Sequence, residues 1–434
     1  MFKFDKTFRD EFRVNWLSLV VAFSFLLFGL SASAYALPFA FPEVIKEFGW
    51  TREQATLLAT AKYVTTAISA LVVGRLLDFV GVWKMLFATA ILSGIGLLGF
   101  LWIHDLTLYY ITGGVLGIGA GGGIVAAKVL VSKTFHASQG TAMGLALLGL
   151  AIGSTAVPIL VAALISAFGW RIGLASLSLA VWVFAMPLLI AGYLLRDRGK
   201  PDEVEGALGD IIRAPEALDF APQVLKIIAQ RNFWCIALAV FGAAAVDTAF
   251  GQHQVLMLRD LNFSASFVAL AISVMGLVGI ASRVVVGNIL DSSSNRGLAA
   301  LYTTMTLACA TAAFLYNPVV LVAFLILRAV AHAAVLLDTT VMSKHAYGTT
   351  KNLGTMLGIF TAASSIGFAV GPWLMGMIFD KTGSYNNAYA LFGMVSVAIS
   401  VLAWYIKPAF WLSMKEGKRR AKGVTSVTEP PIPR

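Results

Sequence analysis

Ser282-Arg283-Val284-Val285-Val286-Gly287-Asn288-Ile289-Leu290-Asp291 puts a guanidinium inside an apolar run and closes that run with a glycine and a carboxylate four residues apart. An arginine at the centre of a membrane helix costs roughly 3 kcal/mol, so such a group faces a cavity, a partner or a substrate path. Gly276, Gly279 and Gly287 fall seven before, four before and four after Arg283. They share its helical face and leave space beside it. Space next to a positive charge suits an anion. The competing reading is an arginine that pairs with an acid or extends its head toward the membrane surface.

The pair Gly287 and Asp291 has an earlier echo in Gly74 and Asp78, at an offset of 213 residues. Gly144, Gly153 and Pro158 return as Gly358, Gly367 and Pro372, each 214 further on. The chain therefore contains two copies of one unit. Repeats of this length built from hydrophobic segments are the architecture of secondary transporters.

Composition agrees. Of 434 residues, 59% are hydrophobic and only 12% charged, about half the charged fraction of a soluble globule. Apolar runs long enough to span a bilayer, about 20 residues each, are expected at 16–38, 54–77, 83–103, 107–131, 138–165 and 171–195, and again at 233–258, 264–290, 297–315, 318–341, 353–378 and 385–406. The fold class is thus an all-α membrane protein with twelve spanning helices in two pseudo-symmetric bundles of six. The organisation expected is an N-terminal cytoplasmic segment 1–14, a bundle 15–195, a cytoplasmic linker 196–231, a second bundle 232–408 and a basic tail 409–434. Ser31-Ala-Ser-Ala-Tyr-Ala could pass for a signal-peptidase site, but cleavage there would leave the first copy one helix short.

The net charge of +10 does not indicate nucleic acid, because the bases sit in short segments between apolar runs. With both termini placed in the cytoplasm, only Lys46, Arg52, Arg171, Arg259 and Lys381 fall in outer loops, against about 23 of the 32 bases inside. Lys62, Lys128, Arg283 and Arg328 remain within the spans. No nucleophile-base constellation, metal-ligand cluster or phosphate-cradling loop is present, so an enzyme, a cofactor and a metal site are not expected. Cys235 and Cys309, both in apolar runs, read as packing residues.

The stretch Gly74-Arg-Leu-Leu-Asp78-Phe-Val-Gly81-Val-Trp-Lys84 resembles the signature between the second and third helices of the major facilitator superfamily, with Phe79 where an arginine is usual and the basic cluster thinned to Lys84. The resemblance covers both halves. Within that superfamily the chain is most similar to the branch of monocarboxylate transporters and oxalate/formate antiporters. The residues behind this are Arg283 eight before Asp291, Phe379-Asp-Lys-Thr-Gly-Ser-Tyr385, Phe168-Gly-Trp-Arg171 and Gln252-His253. The resemblance implies that Arg283 contacts a substrate carboxylate. The branch often carries a charge around the first helix, where this chain has Ser31-Ala-Ser-Ala-Tyr35.

Features shared by both copies, together with the rest of the signature and the glycine stripe of the eleventh span they belong to, are expected to be structural or gating: Gly74, Asp78, Gly81, Lys84, Gly287, Asp291, Pro158, Gly371 and Pro372, with Val157 standing where the first copy would repeat Gly371. Residues that break the repeat are expected to carry function. Arg283 shifted back by 213 lands on Ala70, and Asp247 on Ala34. Asp247, near mid-bilayer, is expected to exchange a cationic partner for a coupling proton, the alternative being a permanent salt bridge. Arg328, His332 one turn on, Lys62 with its stripe Thr65, Thr66 and Ser69, and Tyr35 are expected to help bind substrate. Lys128 and Asp338 are expected to reach the inner interface and His253 to shape the entrance. The reading is a proton-coupled carrier for a small organic anion, acting as a monomer in a bacterial-type inner membrane. A drug exporter and a non-translocating receptor are its rivals.

Overall fold

A computed structural model describes residues 6–136, 138–195, 227–347 and 353–407. Within them lie twelve helices long and apolar enough to cross a membrane: α1 (Phe8–Phe48), α2 (Arg52–Gly74), α3 (Val82–Trp102), α4 (Leu106–Thr134), α5 (Thr141–Ser176), α6 (Ser178–Leu195), α7 (Arg231–Asp260), α8 (Ala265–Leu290), α9 (Asn295–Phe314), α10 (Pro318–Tyr347), α11 (Met356–Thr382) and α12 (Asn386–Trp404). All expected spans are present. The expected linker and tail lie almost entirely outside the described residues.

Local chemistry sets the breaks. Helix α2 continues to Val80 and stops at Gly81, whose φ of +85° a side chain would resist. The corner inside α5 is Gly169, φ +78°. In the second copy the chain also turns back between α8 and α9: a Cβ on Gly297 would lie 2.9 Å from the carbonyl of Ile289, eight residues earlier, where a continuous helix would hold the two about 12 Å apart. Helix α1 is the least regular. Its backbone loosens into a π-turn at Phe25–Leu30 and bends at Ala36 before Pro38, and such turns often mark functional sites.

Glycines bring helices into contact where a Cβ would collide. In α4, a Cβ on Gly117 would meet the Lys62 carbonyl at 2.1 Å, and one on Gly121 the Thr66 carbonyl at 2.1 Å. In the second copy, Gly367 and Gly371 stand equally close to the Phe241 and Ala245 carbonyls of α7.

Among the described residues, most of the hydrogen bonds between the two halves lie on one side. On the side away from the chain ends, Arg52 at the start of α2 forms a two-point ion pair with Asp260 at the end of α7, both bonds 2.7 Å, and donates to the Tyr385 hydroxyl at 2.6 Å. Asp380 of α11 accepts the backbone N–H groups of Arg52 and Glu53 at 3.0 and 2.7 Å, a carboxylate at the positive end of α2. Trp373 donates to Glu53 at 2.7 Å, and Thr56 and Thr60 donate to the carbonyls of Pro372 and Ala369. Toward the chain ends the four repeat glycines Gly74, Gly144, Gly287 and Gly358 have nothing within 4 Å of a Cβ position. The described hydrogen bonds between the halves thus close the far side.

Candidate functional site

Beneath the far-side closure lies a cavity of about 100 Å3 between the halves. The first half contributes Tyr35, Pro38, Tyr63 and Ser154; the second contributes Asp247, Arg283, Arg328 and His332 with the amides Gln252 and Gln254. The bend of α1 delivers Tyr35, and Gly276 and Gly279 keep the wall beside Arg283 free of side chains.

Asp247 and Arg328 are locked together. Arg328 donates through Nη1 to Asp247 Oδ1 at 2.8 Å and through Nη2 to the Asp247 carbonyl at 3.0 Å, with the two side chains 2% and 5% exposed. His332 Nδ1 donates to the other carboxylate oxygen at 2.8 Å. Both charges are therefore desolvated and answered within the second half, as a buried pair requires. Of the two sequence expectations for Asp247, the structure is in the salt-bridged one.

Arg283 is different. It forms no ion pair among the described residues, its Nε is buried without a hydrogen-bond partner, and its guanidinium is in hydrogen-bond contact with the Tyr35 hydroxyl of the facing half. The lining thus holds two guanidinium groups against one carboxylate, a positive excess in a site of low polarity.

Several expectations require correction. Lys62 does not line the cavity. It is 3% exposed, gives its amine to the Ser33 carbonyl of α1 and stands 5.2 Å from the Tyr63 ring. Its polar stripe serves packing after all: Thr65, Thr66 and Ser69 donate to the carbonyls of Gly114, Gly117 and Ile118 at 2.9, 3.1 and 2.8 Å. These hydroxyls bond a helix that glycines allow to approach. Asp338 does not reach an interface. It is fully buried, bonded to Tyr302 at 2.7 Å and Thr339 at 2.9 Å. His253, fully buried, sits under the far-side closure rather than at an open mouth. Lys128 and Lys84 are exposed. The side chains of Asp78 and Asp291 lie outside the described ones. Pro158 and Pro372 both fall inside helices.

Sequence reasoning counted Arg52 as an outer-loop base and gave Glu53, Asp260, Trp373 and Asp380 no role. The available signal was positional: these residues cluster at the same-side ends of α2, α7 and α11.

The chain matches the family described as Major Facilitator Superfamily over residues 21–350 and again over 254–431. A search of curated protein sequences returns no match. Among solved structures, the crystal structure of a D-xylose-proton symporter is similar at 15% identity and a TM-score of 0.69, over 90% of this chain and 97% of that one. At that identity the likeness speaks to the fold.

Proposed function

The chain belongs to the major facilitator superfamily of membrane transporters, and from that we propose that it carries a small organic anion, in the simplest case a monocarboxylate, across a bacterial inner membrane in exchange between inward-open and outward-open states with a proton as coupling ion. The observation that carries the reading is Arg283, a guanidinium in the cavity wall with no carboxylate to answer it. An anion supplies the missing charge and can accept two parallel hydrogen bonds from the fork. Cavity size supports a small solute: about 150 Å3 accommodates one benzene, and this space is about 100 Å3. A pentose, the sugar in the name of the similar structure, is larger and leaves Arg283 unanswered.

With both termini in the cytoplasm, the clasped side faces outward. Residues 15–195 and 232–408 act as the two rocking units, and one chain suffices. Asp247 supplies the coupling. An anion that draws Arg328 and His332 toward itself loosens their hold on the carboxylate, which then takes a proton, so charge in the cavity stays balanced.

The test is flux in proteoliposomes loaded with the purified chain, comparing labelled short-chain monocarboxylates with a pentose and a lipophilic cation. The reading expects accumulation of the carboxylate on the alkaline side of a pH gradient. Pentose uptake alone would overturn the anion, cation efflux would make the chain an exporter, and saturable binding without flux would make it a receptor.

A further inference from the structure

His253 is a fully buried histidine whose two ring nitrogens are both hydrogen-bonded inside the protein, and the bonds fix its proton. Nε2 lies 2.9 Å from the Pro372 carbonyl, which can only accept, so Nε2 carries a hydrogen. Nδ1 lies 3.0 Å from the Tyr385 hydroxyl. That same hydroxyl oxygen receives Arg52 Nη1 at 2.6 Å, which leaves the phenolic hydrogen to be given to Nδ1. A directed chain results: Arg52 to Tyr385, Tyr385 to His253, His253 to Pro372. Its first member belongs to the first half of the molecule and the others to the second, so the imidazole is a strut in the contact between halves.

We propose that His253 is a proton-binding site and that its occupation releases the far-side closure. A proton added at Nδ1 converts the ring's acceptor into a donor. Nδ1–H then points at an oxygen already accepting from Arg52, and the phenolic hydrogen loses its partner. The ring also gains a positive charge within electrostatic reach of the Arg52 guanidinium. Other charged groups nearby do not cancel this. Asp380 attracts the new charge, but both its oxygens are engaged by the start of α2. Asp260 is committed to Arg52, and Glu53 to Trp373. The rings of Tyr385 and Tyr389, stacked at 5.9 Å, complete the surroundings. Arg52 is shared among the contacts of the closure, so weakening it at Tyr385 acts on the group that also pairs with Asp260 and sits over Phe379, 3.7 Å from the ring centroid. The Asp260 carboxylate is 39% exposed, so a proton from the far side has only this layer to cross. The inference is independent of the cargo: it concerns which side is open, not what binds.

The experiment uses the full chain with Cys235 and Cys309 replaced by alanine and spin labels on Lys46→Cys and Lys381→Cys, exposed positions on opposite halves at the far side. Label separation is measured in steps from about pH 8 down to about pH 4, a range that extends well below an ordinary imidazole's 6.5. The expected result is a roughly five- to tenfold gain in a longer-distance population at the acid end, the size that losing one or two hydrogen bonds gives. His253→Gln, which bonds but does not titrate, is expected to lose that response. Tyr385→Phe, a second variant, is expected to open partly across the whole range. No acid response in the parent overturns the proposal; a response that survives unchanged in His253→Gln also overturns it and moves the sensing group to Asp247 or Asp338.

Discussion

The two walls of the cavity come from copies of one unit yet differ in chemistry. The first half offers phenols, a proline and a serine; the second offers Asp247, Arg283, Arg328 and His332. Ala34 and Ala70 occupy the positions where the second copy has Asp247 and Arg283. Duplication supplies the scaffold, and the asymmetry supplies the charge. Within the charged wall a second contrast matters more: Arg328 is spent on Asp247, whereas Arg283 is free for something from outside.

That contrast predicts opposite phenotypes for two like-sized changes. Arg328→Leu leaves Asp247 buried without its cation and is expected to cost about 3–5 kcal/mol of stability, read as a large fall in thermal unfolding temperature. Adding Asp247→Asn to it should restore most of the loss, and a double variant no more stable than the single would break the account of this pair. Arg283→Gln breaks no ion pair and loses only a contact with the Tyr35 hydroxyl, so its unfolding temperature should stay near the parent's while affinity for the carboxylate falls about a hundredfold, the loss of a charge-assisted bidentate contact.

Features common to both walls should respond alike in both copies. Gly153→Ala and Gly367→Ala each place a Cβ about 2.2 Å from a neighbour, the Ser31 Cβ in one case and the Phe241 carbonyl in the other. Each is expected to cost about 1–3 kcal/mol, whereas Gly144→Ala and Gly358→Ala, with open space around them, should be neutral or slightly stabilising. A cost confined to one copy would show that the packing is not shared. The smallest effect is expected for Lys62→Met. Because the amine is given to the Ser33 carbonyl and not to the cavity, carboxylate affinity should change by less than about threefold, within one ordinary hydrogen bond; a loss like that of Arg283→Gln would return Lys62 to the binding site.

The scaffold was readable because it is written in repetition and in lengths: spans of about 20 apolar residues and glycines at a fixed offset. Asp247, Arg283, Arg328 and His332 were readable because charge inside an apolar run has few innocent explanations. What the sequence hid was pairing. Nothing in the spacing says that Arg328 on α10 reaches Asp247 on α7 while Arg283 does not, since that depends on which faces two distant helices present. Lys62 misled for a related reason: a polar stripe on α2 looks the same whether it meets water or the exposed carbonyls of a glycine-rich neighbour. The far-side clasp was hidden because Arg52, Asp260 and Asp380 sit at helix ends, where charges are ordinary.

The central claim is that Arg283 grips a carboxylate by its fork, and the most direct test is equilibrium binding of a short-chain monocarboxylate to the parent and to Arg283→Lys. Lysine keeps the charge but lacks the planar pair of donors. The account predicts at least a tenfold weaker Kd for the lysine variant, about 1.4 kcal/mol, with the fold intact. An unchanged Kd would contradict it.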